Sequence, residues 1–141
     1  MNQEEMKHWL KRGFYAQKRA AVLEEIISNV REQAQGLSRN KTDASPSSDA
    51  GSGNRTELTL LKLADLEEKL IHERCRLAEI ITEISGAILL LHDDDLEAVL
   101  ESRYLLMRTA EQTAEVLHYD VRTVKYKQKR AVEKLCDVWR G

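Results

Sequence analysis

The sequence predicts an all-α fold, a long helical hairpin or coiled coil followed by a small helix-turn-helix domain. Three observations carry this. Breakers and aromatics are scarce, with one Pro, six Gly and one Phe among 141 residues, a composition that favours helix over sheet. Apolar residues recur at alternating steps of three and four along two long stretches. A run of short helical segments with capping residues at their starts then occupies the C-terminal third.

The first long helix is expected over residues 1–37. Its seam is Met6, Trp9, Gly13, Ala16, Ala20, Leu23, Ile27, Val30, Ala34 and Leu37, the heptad spacing of a helix packed along another helix. Residues 38–56 hold the only Pro in a Ser/Gly/Asp-rich mix, with no aliphatic side chain larger than Ala. They cannot bury enough surface to offset ordering entropy, so a flexible linker is expected. A second long helix is expected over 57–91. Leu63, Leu66, Leu70, Leu77, Ile80, Ile84, Ala87 and Leu91 form its main seam, interrupted by Glu73. A further stripe, Ile71, Cys75, Ala78, Ile81 and Ile88, widens the apolar face beyond what one partner helix covers. Either a second protomer, giving a homodimer through the long helices, or the C-terminal domain is expected to cover it, the homodimer being favoured.

Residues 92–141 form the expected third part. The aspartates Asp93, Asp94 and Asp95 cap and charge a helix N-terminus, where the dipole favours anions. Leu96, Val99, Leu100 and Leu106 are expected to face a core. Thr109 and Gln112 have the spacing of a capping box, and Ala110, Ala114 and Leu117 follow on the inner side. His118-Tyr119-Asp120 makes a short turn, with Asp120 suited to cap the next helix. That helix turns Val121, Val124, Ala131, Val132 and Leu135 inward. Two short helices about a three-residue turn, with a small residue at their approach, are the helix-turn-helix pattern.

The formal net charge of −2 does not point to nucleic acid, but its distribution does. From Val121 to Ala131 there are five basic residues, Arg122, Lys125, Lys127, Lys129 and Arg130, and no acidic one. Arg122, Lys125, Tyr126 and Lys129 share the face opposite Val124, Gln128, Ala131 and Leu135. A major groove admits such a helix, with N-terminal side chains reaching base edges and basic residues holding phosphates.

The stretch from Leu100 to Leu135 resembles sigma-70 region 4-like domains and the phage-encoded late transcription regulators that carry one. The likeness rests on Leu100-Glu101-Ser102-Arg103-Tyr104-Leu105, on Ala110 to Leu117, on the turn, and on Arg122-Thr123-Val124 with Arg130-Ala131-Val132-Glu133-Lys134-Leu135. Trp9-Leu10-Lys11-Arg12, the Ser/Gly-rich segment and the Leu/Glu/Lys-rich helix extend it over nearly the whole chain. Thr113 departs from the usual Ile and Asp120 from the usual Ser. The resemblance implies a sequence-specific transcription regulator of phage or prophage genes, bound to double-stranded DNA, with RNA polymerase as a second partner. Carried over position by position, Arg122, Thr123, Lys125 and Tyr126 are the base-reading candidates, and Lys127, Lys129 and Arg130 the backbone contacts. The alternatives are a DNA-packaging subunit of the small terminase kind and a helical adaptor that binds no DNA.

Other chemistry is not expected. No glycine-rich phosphate loop, nucleophile elbow or paired carboxylates stand out, so neither an enzyme nor a cofactor is expected. His8, His72, His92 and His118 show no metal spacing, and Cys75 and Cys136 read as reduced, at least half-buried thiols. The start of the chain does not read as a signal peptide and no run reaches membrane-spanning length, so a cytoplasmic protein is expected.

Overall fold

The computed structural model describes residues 1–43 and 49–139, with side chains described for 1–36 and 56–139. Among them every regular element is helical: α1 (Gln3–Leu10), α2 (Arg12–Asp43), α3 (Asp49–Ile88), a 3-10 turn (Leu89–Leu91), α4 (Asp94–Leu100), a π-helical turn (Glu101–Leu105), α5 (Ala110–Leu117) and α6 (Val121–Val138). Among the described residues no helix is long and apolar enough to cross a membrane.

The single helix expected over 1–37 is divided at Lys11. Asn2 caps α1, its side-chain oxygen accepting from the Glu5 amide at 2.8 Å. The Arg12 guanidinium donates back to the Trp9 carbonyl at 3.1 Å, satisfying a carbonyl at the end of α1. The seam survives the break: Met6, Gly13, Ala16 and Ala20 are all buried. Helix also enters both ends of the stretch 38–56 expected as a linker, up to Asp43 and again from Asp49. A small, polar composition argues against a core there but not against helix, because an established helix gains a backbone bond for each residue it adds. The remainder of that expectation, 44–48, lies outside the described residues.

Two compact units result. In one, residues 17–75, α2 and α3 pair within the chain. Arg31 meets Glu67 at 2.6 Å and Arg74 meets Glu24, so advance along α2 matches retreat along α3 and the helices are antiparallel. Ala20 and Ile27 are buried in the seam. Glu73, the expected interruption, is turned to Arg19 at 3.4 Å. The Arg31–Glu67 and Arg74–Glu24 pairs are exposed and add little stability, whereas the Glu73 side chain is mostly buried. The second stripe is open over its first part, where Ile71 is 62% exposed and Cys75, expected to be at least half-buried, is exposed too, whereas Ile81 is half-buried and Ile88, at its far end, is fully buried. Periodicity identified one apolar stripe, and its covered end, Ile88, belongs to the core of the other compact unit.

The other unit joins residues 1–16 to 76–141. Met6 and Leu10 of α1, Ile84 and Ile88 of α3, Leu96 and Leu100 of α4, and Ala131, Val132 and Leu135 of α6 share one core. The helix-turn-helix therefore does not begin as a separate body at residue 92. The Trp9 and Trp139 rings lie 5.1 Å apart between centroids, and Arg12 sits 4.7 Å above Trp9 while pairing with Glu83 at 3.1 Å. Leu106, expected in the core, is 60% exposed, and Tyr104 takes the buried place instead. The reason is the π-helical turn: the Leu106 amide bonds to the Glu101 carbonyl at 2.9 Å, which inserts a residue and shifts the later side chains out of phase.

Thr113 is fully buried, and its hydroxyl lies 2.9 Å from that of Ser102, also buried. Either can donate, so the pair satisfies itself. Thr113→Val should therefore cost about 1–2 kcal/mol by orphaning Ser102. Adding Ser102→Ala should recover part of that loss, giving a non-additive double-mutant cycle in denaturant melts. Ile27→Asp, which puts an unpaired charge in the seam, should lower stability by about 3 kcal/mol and shift the thermal transition followed by circular dichroism.

Candidate nucleic-acid interface

The two helices α5 and α6 are set by their caps. Thr109 accepts from the Gln112 amide at 3.1 Å, and the Gln112 side chain accepts from the Thr109 amide at 2.9 Å, completing the expected capping box. His118 then adopts a left-handed conformation (φ 60°), and the Tyr119 amide returns to the Ala114 carbonyl at 2.9 Å. Asp120 occupies the N-cap position of α6 with extended backbone, but its side chain makes no capping bond, contrary to expectation. Residue type favours the role, yet the rotamer does not deliver it. Asp93 does cap α4, accepting from the Leu96 amide at 3.2 Å. Among the described residues no group of three His, Cys, Asp or Glu is placed to hold a metal ion.

Behind the turn, Val99, Ala110, Ala114 and Val124 form a small core of their own. The small side chains of Ala110 and Ala114 let α5 approach α6. With Val124, Ala131, Val132 and Leu135 buried, the opposite face of α6 must be exposed. Arg122, Lys125, Lys129 and Arg130 are exposed there, and Tyr126 is 62% exposed. Tyr126, Lys129, Arg130 and Glu133 line one shallow depression. Thr123 is half-buried. Lys127 stands apart from the others: its ammonium is 3.8 Å from an Asp95 oxygen and 5.1 Å from the Tyr119 ring centroid. Its charge is thus directed at the start of α4, away from the exposed cationic face.

A polar brace under α6 was not anticipated. Gln128 faces inward, where its side-chain oxygen accepts from Arg103 Nε at 2.8 Å and its nitrogen donates to the Tyr104 hydroxyl at 3.0 Å. Arg103 Nη1 in turn donates to the Arg108 carbonyl at 2.6 Å, closing the bend that follows the π-helical turn. The signal was present in the sequence, since a glutamine on the apolar side of a helix needs buried partners. Burial pushes the Tyr104 phenol above its ordinary pKa of 10.0, opposed by the Gln128 bond and by the nearby Arg103 and Lys7 charges.

No protein-family model, curated protein or solved structure matches this chain. The geometry of α5, the turn and α6 is what speaks for the site.

The Tyr104 shift has a sign that can be tested. A phenol whose folded-state pKa is raised contributes stability that is fully present below the unfolded pKa of about 10 and lost as the pH rises through the folded value. Tyr104→Phe should cost about 1 kcal/mol at neutral pH by leaving the Gln128 amide unpaired. It should also lose less stability than the parent between neutral and strongly alkaline pH, as read from denaturant melts.

Proposed function

We propose that this protein is a sequence-specific, double-stranded-DNA-binding transcription regulator whose α6 enters the major groove. The observation that carries the reading is the outer face of α6. Arg122, Lys125 and Lys129 are exposed together on the second helix of a helix-turn-helix, and residues 121–131 contain no acid. In this reading Arg122, Lys125 and Tyr126, near the N-terminal end, meet base edges, with Thr123 at the margin. Lys129 and Arg130 are suited to phosphates. Lys127, held toward Asp95 and Tyr119, is left out of this set.

The resemblance to phage late regulators supports carrying the reading on to phage or prophage genes and to RNA polymerase as a second partner. A homodimer through the open Ile71 side of α3 would offer two copies of α6 to two half-sites. A sedimentation mass of one chain would remove the dimer without touching the DNA contact.

The decisive experiment is a duplex-binding titration at several salt concentrations. Wild type should bind with strong salt dependence. Arg122→Ala should lose roughly 1–3 kcal/mol on a selected site and discriminate less among sequences. A triple Arg122/Lys125/Lys129 alanine variant that binds as well as wild type would overturn the reading.

A further inference from the structure

Beside the outer face of α6 lies a second cationic feature, built from parts distant in sequence. Lys7 of α1, Arg103 of the π-helical turn, and Lys125 and Lys129 of α6 line one shallow depression of about 220 Å³. Ala110, Gln128 and Val132 complete its lining, and no carboxylate is among the residues that form it. Like charges gathered around one hollow repel, and an anion in the hollow relieves that repulsion.

The convergence is built into the fold. Lys7 follows Met6, which is fully buried, and α1 packs directly on α6, so the backbone holds Lys7 at the edge of the depression. Arg103 is fixed by its bonds to Gln128 and the Arg108 carbonyl. Among the described residues the acid paired with Lys7 is Glu4, at 3.6 Å and itself mostly exposed. Such an exposed pair is weak and readily exchanged for a stronger anion. Lys125 and Lys129 belong both to this hollow and to the face proposed to enter the groove. An anion held here would therefore lie alongside a groove-bound α6, where the sugar-phosphate strand runs.

We infer that this depression seats a backbone phosphate of the bound duplex, with Lys7 contributing to DNA affinity from the N-terminal helix. The inference rests on the DNA-binding reading of α6 and adds α1 to the interface. A phosphate contact positions the protein without reading sequence, and each one neutralised adds to the salt dependence of binding.

The test uses the full chain with Lys7→Gln, which removes the charge, and Lys7→Arg, which keeps it. Affinities are measured on a selected and an unrelated duplex between about 50 and about 200 mM salt, the range over which phosphate contacts are strongly screened. Lys7→Gln should weaken both duplexes by the same factor, roughly three- to tenfold, and flatten the log–log salt slope by about one unit. Lys7→Arg should restore the slope. Both variants should melt at the wild-type temperature, since the Lys7 pair with Glu4 is exposed. If Lys7→Gln binds with wild-type affinity and slope while the α6 triple variant has lost binding, this inference fails and the α6 reading stands. If wild type shows no salt-dependent duplex affinity, both fail together.

Discussion

Val132 and Leu135 turn inward from α6 and meet Met6 and Leu10 of α1 in a core that also receives Ile84, Ile88 and Leu91. Each such side chain contributes on the order of 1.5–3 kcal/mol when fully removed from water. The sum fixes the rotation of α6 about its own axis. A turn of one residue either way would take Leu135 or Val124 out of the core and bring a lysine in. The cationic face is therefore held outward by what lies behind it, and the caps of α5 and the short turn only refine its position.

Polar groups inside this unit tighten the same constraint. Gln128 is satisfied only where Arg103 and Tyr104 both reach it, and Ser102 and Thr113 only where they face each other. A buried polar group that misses its partner costs more than a displaced methyl group, so these bonds select among packings that apolar contacts alone would tolerate. Thr113, which departs from the usual Ile of the domains it resembles, is half of a hydroxyl pair. The π-helical turn is what brings Ser102, Arg103 and Tyr104 to their separate partners in consecutive positions.

Much of this was legible from residue order. The Met6–Ile27 seam, the Thr109–Gln112 capping box, the Asp93 cap and the inward residues of α6 all express local periodicity or local hydrogen bonding. Where the reading fell short, the missing information was non-local or conformational. Periodicity marks a face as apolar but does not say what covers it, which is why Ile71 and Cys75 look like core residues and are open. A π-helical turn leaves no compositional mark, so regular helical spacing puts Leu106 in the wrong phase. Asp120 has the right chemistry for a cap, and only its rotamer withholds it. The shared core of α1 and α6 could not be inferred from a pattern within either helix. Nothing local therefore links Lys7 or Arg103 to the five basic residues of 121–131.

The tilted contact of Trp9 with Trp139 bears on how the protein is made. On the ribosome, α1 and α2 emerge long before α6 is synthesised, and α1 must then wait with Met6, Trp9 and Leu10 lacking their main partner. The α2–α3 hairpin can close early because its contacts are nearer in sequence, whereas the unit bearing the helix-turn-helix closes only across most of the chain. Contacts of such long separation slow folding and leave apolar surface exposed in the interval. Synthesis thus withholds a finished cationic face from nascent chains until α6 is out and docked against α1.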